Sequence, residues 1–258
     1  MLIRRISEHL KEQNWFAVWL DVFVVFLGVF IGLQADNWNE TRIAKAEAKI
    51  YYERLIEDLR AEEITQLAHI AYYQSTKRHG EAALRALQQH DGLLGGEFLI
   101  DIYQATQIWN YRIQRATYDK ILSGSIADAI PDASVRRQLA NYYVGLEGSE
   151  IAQQERTPFR DNLRAYLPHA VQNSVRANCG DRYEFDSNHV VWLSLPQNCD
   201  LTFEPMAISE AVNALKSYAD LEKELTRHLA DIETKLVTLE FTLFQTREIV
   251  SHLEGISG

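Results

Sequence analysis

The longest predominantly apolar run in the chain is WFAVWLDVFVVFLGVFIGLQA, from Trp15 to Ala35. Its roughly 21 residues are enough to cross about 30 Å of hydrocarbon. The apolar positions fall on every side of a helix rather than in one stripe, which favours a membrane span over the alternative of a buried core helix. Trp15 and Trp19 mark one edge and Trp38 the other. At 1.5 Å per residue, Trp15 to Trp38 covers about 34 Å, a spacing that suits aromatic belts at two interfaces. A cleavable signal peptide is the other reading, but Leu33-Gln34-Ala35 is a poor small-x-small site, so retention is expected. Ahead of the span, MLIRRISEHLKEQN places Leu2, Ile3, Ile6 and Leu10 on one face. That pattern predicts an amphipathic segment over residues 1–14, lying on the cytoplasmic membrane surface.

Beyond residue 35 the pattern becomes amphipathic. Tyr52, Ile56, Leu59, Leu67, Ile70, Leu84 and Leu87 recur at helical spacing, predicting a helix from the span to about Gln89. Asp91-Gly92 and Gly95-Gly96 break it. A second helix is expected from about Glu97 to Leu122, ended by Thr117-Tyr118-Asp119 and the following Ser123-Gly124-Ser125. A third should start at Pro131-Asp132 and run towards Tyr166, disturbed at Pro158. From about 168 to 205 the helical period is lost, and Tyr183–Phe185 and Val190–Leu193 read as two short strands in a small capping insert. At the C-terminus Ile208, Val212, Leu215, Ala219, Glu222, Thr226, Leu229, Ile232, Leu236, Leu239, Leu243, Thr246, Val250 and Leu253 recur in steps of four and three. These steps predict one coiled-coil seam about 69 Å long. Antiparallel packing on the helix leaving the membrane would cover it; self-association along the same seam is the competing reading. The fold class expected is all-α: an N-terminal transmembrane helix (15–35) continuing into an elongated antiparallel bundle over 36–258.

Composition changes the picture in two places. A net charge of -10, with no basic block interleaved with aromatics, argues against nucleic acid as a partner. Cys179 and Cys199 are the only cysteines and lie in the irregular stretch. An isolated pair of this kind reads as a disulfide, with free thiols and a zinc pair as alternatives. A disulfide places the domain in the periplasm and agrees with the slight excess of Arg4, Arg5 and Lys11 over Arg42 and Lys45 about the span.

The run from Leu20 to Glu40 carries an acid (Asp21), then Gly28 through Gln34, then Asn37-Trp38-Asn39-Glu40. It resembles the opening of a large family of bacterial single-span inner-membrane proteins with no assigned activity. A second likeness to that family lies in Thr117-Tyr118-Asp119, Ser123-Gly124, Arg136, Leu139 and Tyr142-Tyr143, with Ile121 and Val135 where the family shows leucine. The cysteine insert and the C-terminal helix lie outside the resemblance, which implies membrane placement and leaves activity open.

Among single residues Asp21 stands out, because a carboxylate in hydrocarbon must be neutral, paired or open to a cavity. The arrangement is similar to single-span stator subunits of proton-driven motors, although nothing past the span resembles a peptidoglycan-binding domain. An interfacial acid reached by water is the plainer reading. Gly28 and Gly32 form a GxxxG pair that permits close helix approach, and steps of seven and four place Asp21, Gly28 and Gly32 on one side. The eight histidines are scattered, and Glu224 with His228 reads as a surface contact. No metal or cofactor is expected, and GxSxG, P-loop and GxGxxG patterns are absent. Trp109, Tyr111, Tyr142 and Tyr143 read as core aromatics, and Thr117-Tyr118-Asp119 as a turn motif with a ligand site as the alternative. The expected function is a non-enzymatic scaffold or accessory subunit, binding membrane lipid and other proteins or its own copies. The alternatives are a part of an ion- or proton-driven machine using Asp21, and a ligand-sensing bundle.

Overall fold

The computed structural model describes residues 15–89, 94–124, 129–185 and 191–257. The amphipathic segment expected over 1–14 lies outside the described residues. Among the described residues the protein is all-α with one small hairpin. In chain order the elements are α1 (Trp15–Gln88), α2 (Gly96–Gln104), α3 (Ala116–Ser123), α4 (Ala133–Gln154), α5 (Phe159–Tyr166), α6 (His169–Cys179), β1 (Arg182–Phe185), β2 (Val191–Ser194), α7 (Pro205–Lys216) and α8 (Leu221–Ser257).

Two units follow from the contacts, Met1–Tyr51 and Tyr52–Gly258. In the first, α1 is long and apolar enough to cross a membrane. Every described side chain from Val22 to Ile43 is exposed. Trp19 stacks on Phe23 and Phe26 on Phe30, and a Cβ at Gly28 or Gly32 would meet nothing within 4 Å.

In the second unit, buried positions on α1 fall at Tyr52, Leu55, Leu59, Glu62, Gln66, His69, Tyr73, Thr76, Gly80 and Ala83, in steps of three and four. The same steps carry Val135, Leu139, Tyr142, Leu146, Ser149 and Gln153 on α4, and Leu221, Leu225, His228, Ile232, Lys235, Leu239, Thr242, Thr246, Ile249 and Leu253 on α8. Heptad stripes of this kind are what shallow-angle helix bundles bury. Direction follows from the pairs. Arg60 meets Glu254, Glu63 meets Arg247, Gln66 meets Thr246 and Lys77 meets Glu233, so α1 and α8 are antiparallel. Gln138 with His252, Tyr142 with Thr246 and Gln153 with Lys235 set α4 antiparallel to α8. Gly80 permits the approach of α1 to α8, since a Cβ there would stand 2.8 Å from Leu229 Cδ2.

Around one end of this bundle, α2, α5, α6 and α7 bury an aliphatic and aromatic cluster that includes Leu99, Ile102, Phe159, Leu163, Val171, Val175, Ala211 and Leu215. The hairpin pairs Tyr183 with Leu193 and Phe185 with Val191, and both aromatics on β1 are exposed. Cys179, at the end of α6, is joined to Cys199 by a disulfide.

Four expectations are corrected. The helix expected over 97–122 is two short helices joined by an extended stretch, in which Trp109, Tyr111 and Ile113 turn inward and Asn110, Arg112 and Gln114 outward. That alternation of period two is a strand-like feature. The third expected helix stops at Gln154, and Pro158 precedes α5; its start is as expected, with the Asp132 carboxylate accepting from Ser134 N at 2.7 Å. The stretch 168–205 is not irregular throughout, because α6 buries Val171, Val175 and Cys179 at intervals of four. The long C-terminal seam is divided. At the end of α7, Ser217 N and Tyr218 N bond to Ala214 O and Leu215 O three residues back. This tightening resets the helical phase. Ala219, Glu222 and Thr226 are therefore exposed, and Leu221, Leu225 and His228 are buried instead.

Candidate functional site

Four polar residues of α1 share one task. Asp58, Glu62, His69 and Tyr73 all engage the extended stretch between α2 and α3. Tyr73 OH donates to Trp109 O at 3.1 Å, and the His69 ring stacks on Trp109 at 3.6 Å. Tyr111 OH donates to Glu62 Oε1, and Gln114 N donates to Glu62 Oε2 at 2.8 Å. One turn earlier, Asp58 Oδ2 accepts from Thr117 N at 3.0 Å, in the first turn of α3, where a carboxylate also complements the helix dipole. Gln114 N, in a segment with no helix or sheet ladder of its own, and Thr117 N, at the start of α3, are thus answered by carboxylates of a neighbouring helix.

From Glu62 the network continues across the bundle. Gln66 Nε2 donates to Tyr111 OH at 3.4 Å, Thr246 Oγ1 lies 3.0 Å from Gln66 Oε1, and Tyr142 OH lies 2.9 Å from Thr246 Oγ1. α1, α4, α8 and the extended stretch thus meet at one polar joint. Burial raises the Glu62 carboxyl from its ordinary value to about 6, opposed by the hydrogen bonds from Tyr111, Gln114 and Gln66. Tyr111 is held well above the ordinary phenol range by burial and by Glu62, so it is a neutral donor. Burial lowers His69 to about 4, leaving it neutral and accounting for its place against an indole. Further along α8, burial likewise lowers His228. Its Nε2 donates to Ala105 O at 2.8 Å and its Nδ1 accepts from Thr157 Oγ1 at 2.7 Å, a tautomer set by those partners.

Glu62 and Tyr111 are both 0 % exposed. The joint is closed to solvent and ties α1, α4, α8 and the extended stretch together. Among the described residues, no group of three or more His, Cys, Asp or Glu is placed to hold a metal ion.

The sequence-derived residues distribute as follows. Tyr118 stacks on Tyr143 at 4.0 Å, and Arg115 pairs with Asp119 at 2.8 Å while also reaching Glu147. Thr117-Tyr118-Asp119 and Tyr142-Tyr143 are therefore brought together, but the triplet opens α3 where it was expected to end a helix. Of the four aromatics expected as core, Tyr111, Tyr142 and Tyr143 are buried, and Trp109 is half-buried against the His69 ring. His228 is not the surface partner of Glu224: it is buried, and Glu224 instead meets Asn162 and Tyr218. Glu62, Gln66 and Asp58 were missed, although Leu55, Leu59, Glu62 and Gln66 follow the heptad steps; Thr246 lies on the buried face of α8, as its place in the expected seam implied. Asp21, Gly28 and Gly32 lie in α1 within the first unit. The chain matches no protein-family model, no curated protein and no solved structure.

Proposed function

We propose that the chain is a single-pass inner-membrane protein with a cytoplasmic N-terminus and a periplasmic helical domain. The domain serves as a non-enzymatic scaffold or accessory subunit that binds its own copies or other membrane proteins. The observation that carries this reading is apolar exposure in both units. From Val22 to Leu33 the first unit presents large apolar side chains on all sides, which only lipid or another span can cover. In the second unit Val237, Phe241 and Phe244, at steps of four and three, form an outward stripe on α8 opposite its buried face, and Val144 and Ile151 stand exposed on α4. Clustered exposed aromatics on a folded domain mark interaction surfaces. The disulfide supports the oxidising compartment, and the likeness of Leu20–Glu40 to single-span membrane proteins supports the anchor.

Extraction in mild detergent followed by chemical crosslinking tests the reading. Crosslinked oligomers are expected, and Phe241→Glu with Phe244→Glu should reduce them without loss of helicity. A lone monomer without partners, unaltered by that pair of substitutions, overturns it. A C-terminal reporter active only in an oxidising compartment tests the topology, and a cytosolic signal would be fatal. The use of Asp21 as a proton-binding acid is the second reading, motivated by its register with Gly28 and Gly32 on one side of α1. Asp21→Asn should then abolish function at unchanged expression, and an unaffected phenotype excludes it.

A further inference from the structure

Arginines recur at intervals of four along α5 and the residues before it, at Arg156, Arg160 and Arg164. Arg160 Nη1 donates to Thr106 O. Arg164 Nε donates to Thr106 Oγ1 at 3.0 Å and its Nη2 to Gln107 Oε1 at 3.1 Å, while its guanidinium lies 4.7 Å from the Tyr103 ring centre. Arg156 Nη2 donates to Asn110 Oδ1 at 3.1 Å. Every one of these acceptors is neutral. Ion pairs within 4.0 Å are formed by Arg60, Arg112, Arg115 and Arg247, but by none of these three among the described residues.

Arg160 and Arg164 are half-buried. Holding two guanidiniums side by side out of water is unfavourable without a counter-charge. Burial, then the charge of Arg160, lowers Arg164 to about 10. The charges that act at this place include those of Arg156, Arg160, Arg164 and Arg176 against Asp161 and Asp181, while Asp231, felt by Tyr73 together with Arg156 and Arg160, is paired with Lys235 at 3.4 Å. Asp181 is itself engaged, accepting from Tyr72 OH at 2.9 Å. The C-terminus of α2, which ends beside Thr106, adds about half a negative charge. Positive charge is thus gathered here without a charged acceptor in contact, in a protein whose net charge is -10.

We propose that Arg160 and Arg164, flanked by Arg156 and Arg176, form a binding site for a phosphate-type oxyanion, either free or carried on a lipid headgroup. A guanidinium has five N–H donors in a planar fork suited to such oxygens. The internal contacts above use two donors of Arg164 and one of Arg160, so donors remain on both. A dianion bridging the two would neutralise this charge and supply the charged acceptor that the fold does not.

The test uses the full chain in zwitterionic detergent, with ionic strength held constant by chloride. Inorganic phosphate and a short-chain phosphatidic acid below its micelle concentration are titrated by calorimetry. Saturable binding of one or both is expected, weakened at least about tenfold by Arg164→Gln or Arg160→Gln. Asp181→Asn, which removes a competing carboxylate, should tighten it severalfold, and Arg60→Gln, on a surface already paired to Glu63 and Glu254, should leave it unchanged. Arg176 is exposed and bonds only to Asn173 among the described residues, so Arg176→Gln keeps the proposal testable where Arg164→Gln unfolds; a few-fold loss is expected. Displacement of the lipid by phosphate identifies a free-phosphate site. Lipid binding that phosphate does not displace assigns the arginines to a headgroup. Absence of saturable binding for both probes, or binding unchanged by both Arg164→Gln and Arg176→Gln, overturns the proposal.

Discussion

The long-helix bundle and the cluster of short helices around α5 solve the same problem with opposite materials. In the bundle, the stripe at which α1, α4 and α8 meet carries Glu62, Gln66, Tyr142 and Thr246, joined by hydrogen bonds across three helices. Around α5 the interior is Leu99, Ile102, Phe159, Leu163, Val175 and Leu215, with a disulfide at its edge. Apolar packing tolerates many arrangements of similar volume. A polar chain is satisfied only in one register, since shifting any helix by a turn leaves a buried carboxyl or amide without a partner. The bundle has the long helices that can slide past one another, and its buried polar side chains bond to one another from helix to helix; those beside the cluster, Gln104 and Gln172, bond instead to the backbone carbonyls of Cys179 and Leu167. The cluster has short helices whose loops already fix them.

The largest effect expected from testing this contrast lies in the cluster. Phe159 is fully buried and its ring lies 4.9 Å from that of His228. Phe159→Ala should cost about 3–5 kcal/mol in urea unfolding. Removal of the disulfide should follow at about 3 kcal/mol on the loop-entropy model for its sequence separation of 20. Reductant should reproduce the loss in the native chain and have no effect on Cys179→Ser/Cys199→Ser. A loss under 1 kcal/mol in both experiments, about the size of one hydrogen bond, would remove the basis for a cluster held by packing and covalent closure.

The bundle should declare itself through pH. Glu62 is raised to about 6 in the folded chain from 4.5. The native state then binds this proton more tightly than the unfolded state, so its stabilisation is complete below about pH 4.5 and is lost as pH rises through about 6, roughly 2 kcal/mol in all. His69 has the opposite sign. Lowered to about 4 from 6.5, it contributes stability above pH 6.5 that is lost as pH falls through about 4. The two trends oppose each other between them. Glu62→Gln should unmask stability that rises from pH 4 to 6.5, and His69→Gln stability that falls from pH 4.5 to 6. Identical pH profiles for both variants and the native chain would show that neither group is held as described.

The same contrast explains what the sequence disclosed. Helical content, the apolar span, the hairpin at 182–194 and the paired cysteines were legible because each rests on strong local signals: hydropathy, alternation, Pro and Gly. Of the stripe expected on α1, Tyr52, Leu59 and Ile70 are buried, but Ile56, Leu84 and Leu87 are only half-buried and Leu67 is exposed, while the pattern passed over Leu55, Glu62, Gln66, His69 and Thr76. Hydrophobic periodicity points to the neighbours when the core itself is polar. Only a partner on another helix tells a buried Gln from a surface one, and that information is not local. The division at 217–220 escaped for a related reason. The apolar rows at Leu229, Leu236, Leu243 and Val250 do continue the earlier phase, but they flank a second row centred on Leu225, Ile232 and Leu239. The spacing of Arg156, Arg160 and Arg164 is present in the sequence, yet the neutrality of their acceptors among the described residues depends on where α2 and α6 fall.

The smallest effect concerns how the joint is wired. Thr246 has one hydroxyl hydrogen and three neighbours in range: Gln66 Oε1 at 3.0 Å, Thr242 O at 2.9 Å and Tyr142 OH at 2.9 Å. The first two only accept, so Thr246 donates to one of them and Tyr142 must donate to Thr246. Tyr142→Phe therefore removes a donor from Thr246, and Thr246→Val strands the Tyr142 hydroxyl together with the Gln66 carbonyl. Each single change should cost about 1–2 kcal/mol. The double variant should cost less than their sum by about 0.5–1 kcal/mol, the coupling of one neutral hydrogen bond. A matched cycle in the apolar cluster, Leu163→Ala with Ile102→Ala, tests whether coupling is specific to directional bonds. If the cluster pair couples as strongly as Tyr142 with Thr246, specificity of register does not reside in the polar stripe, and the bundle is held, like the cluster, by shape alone.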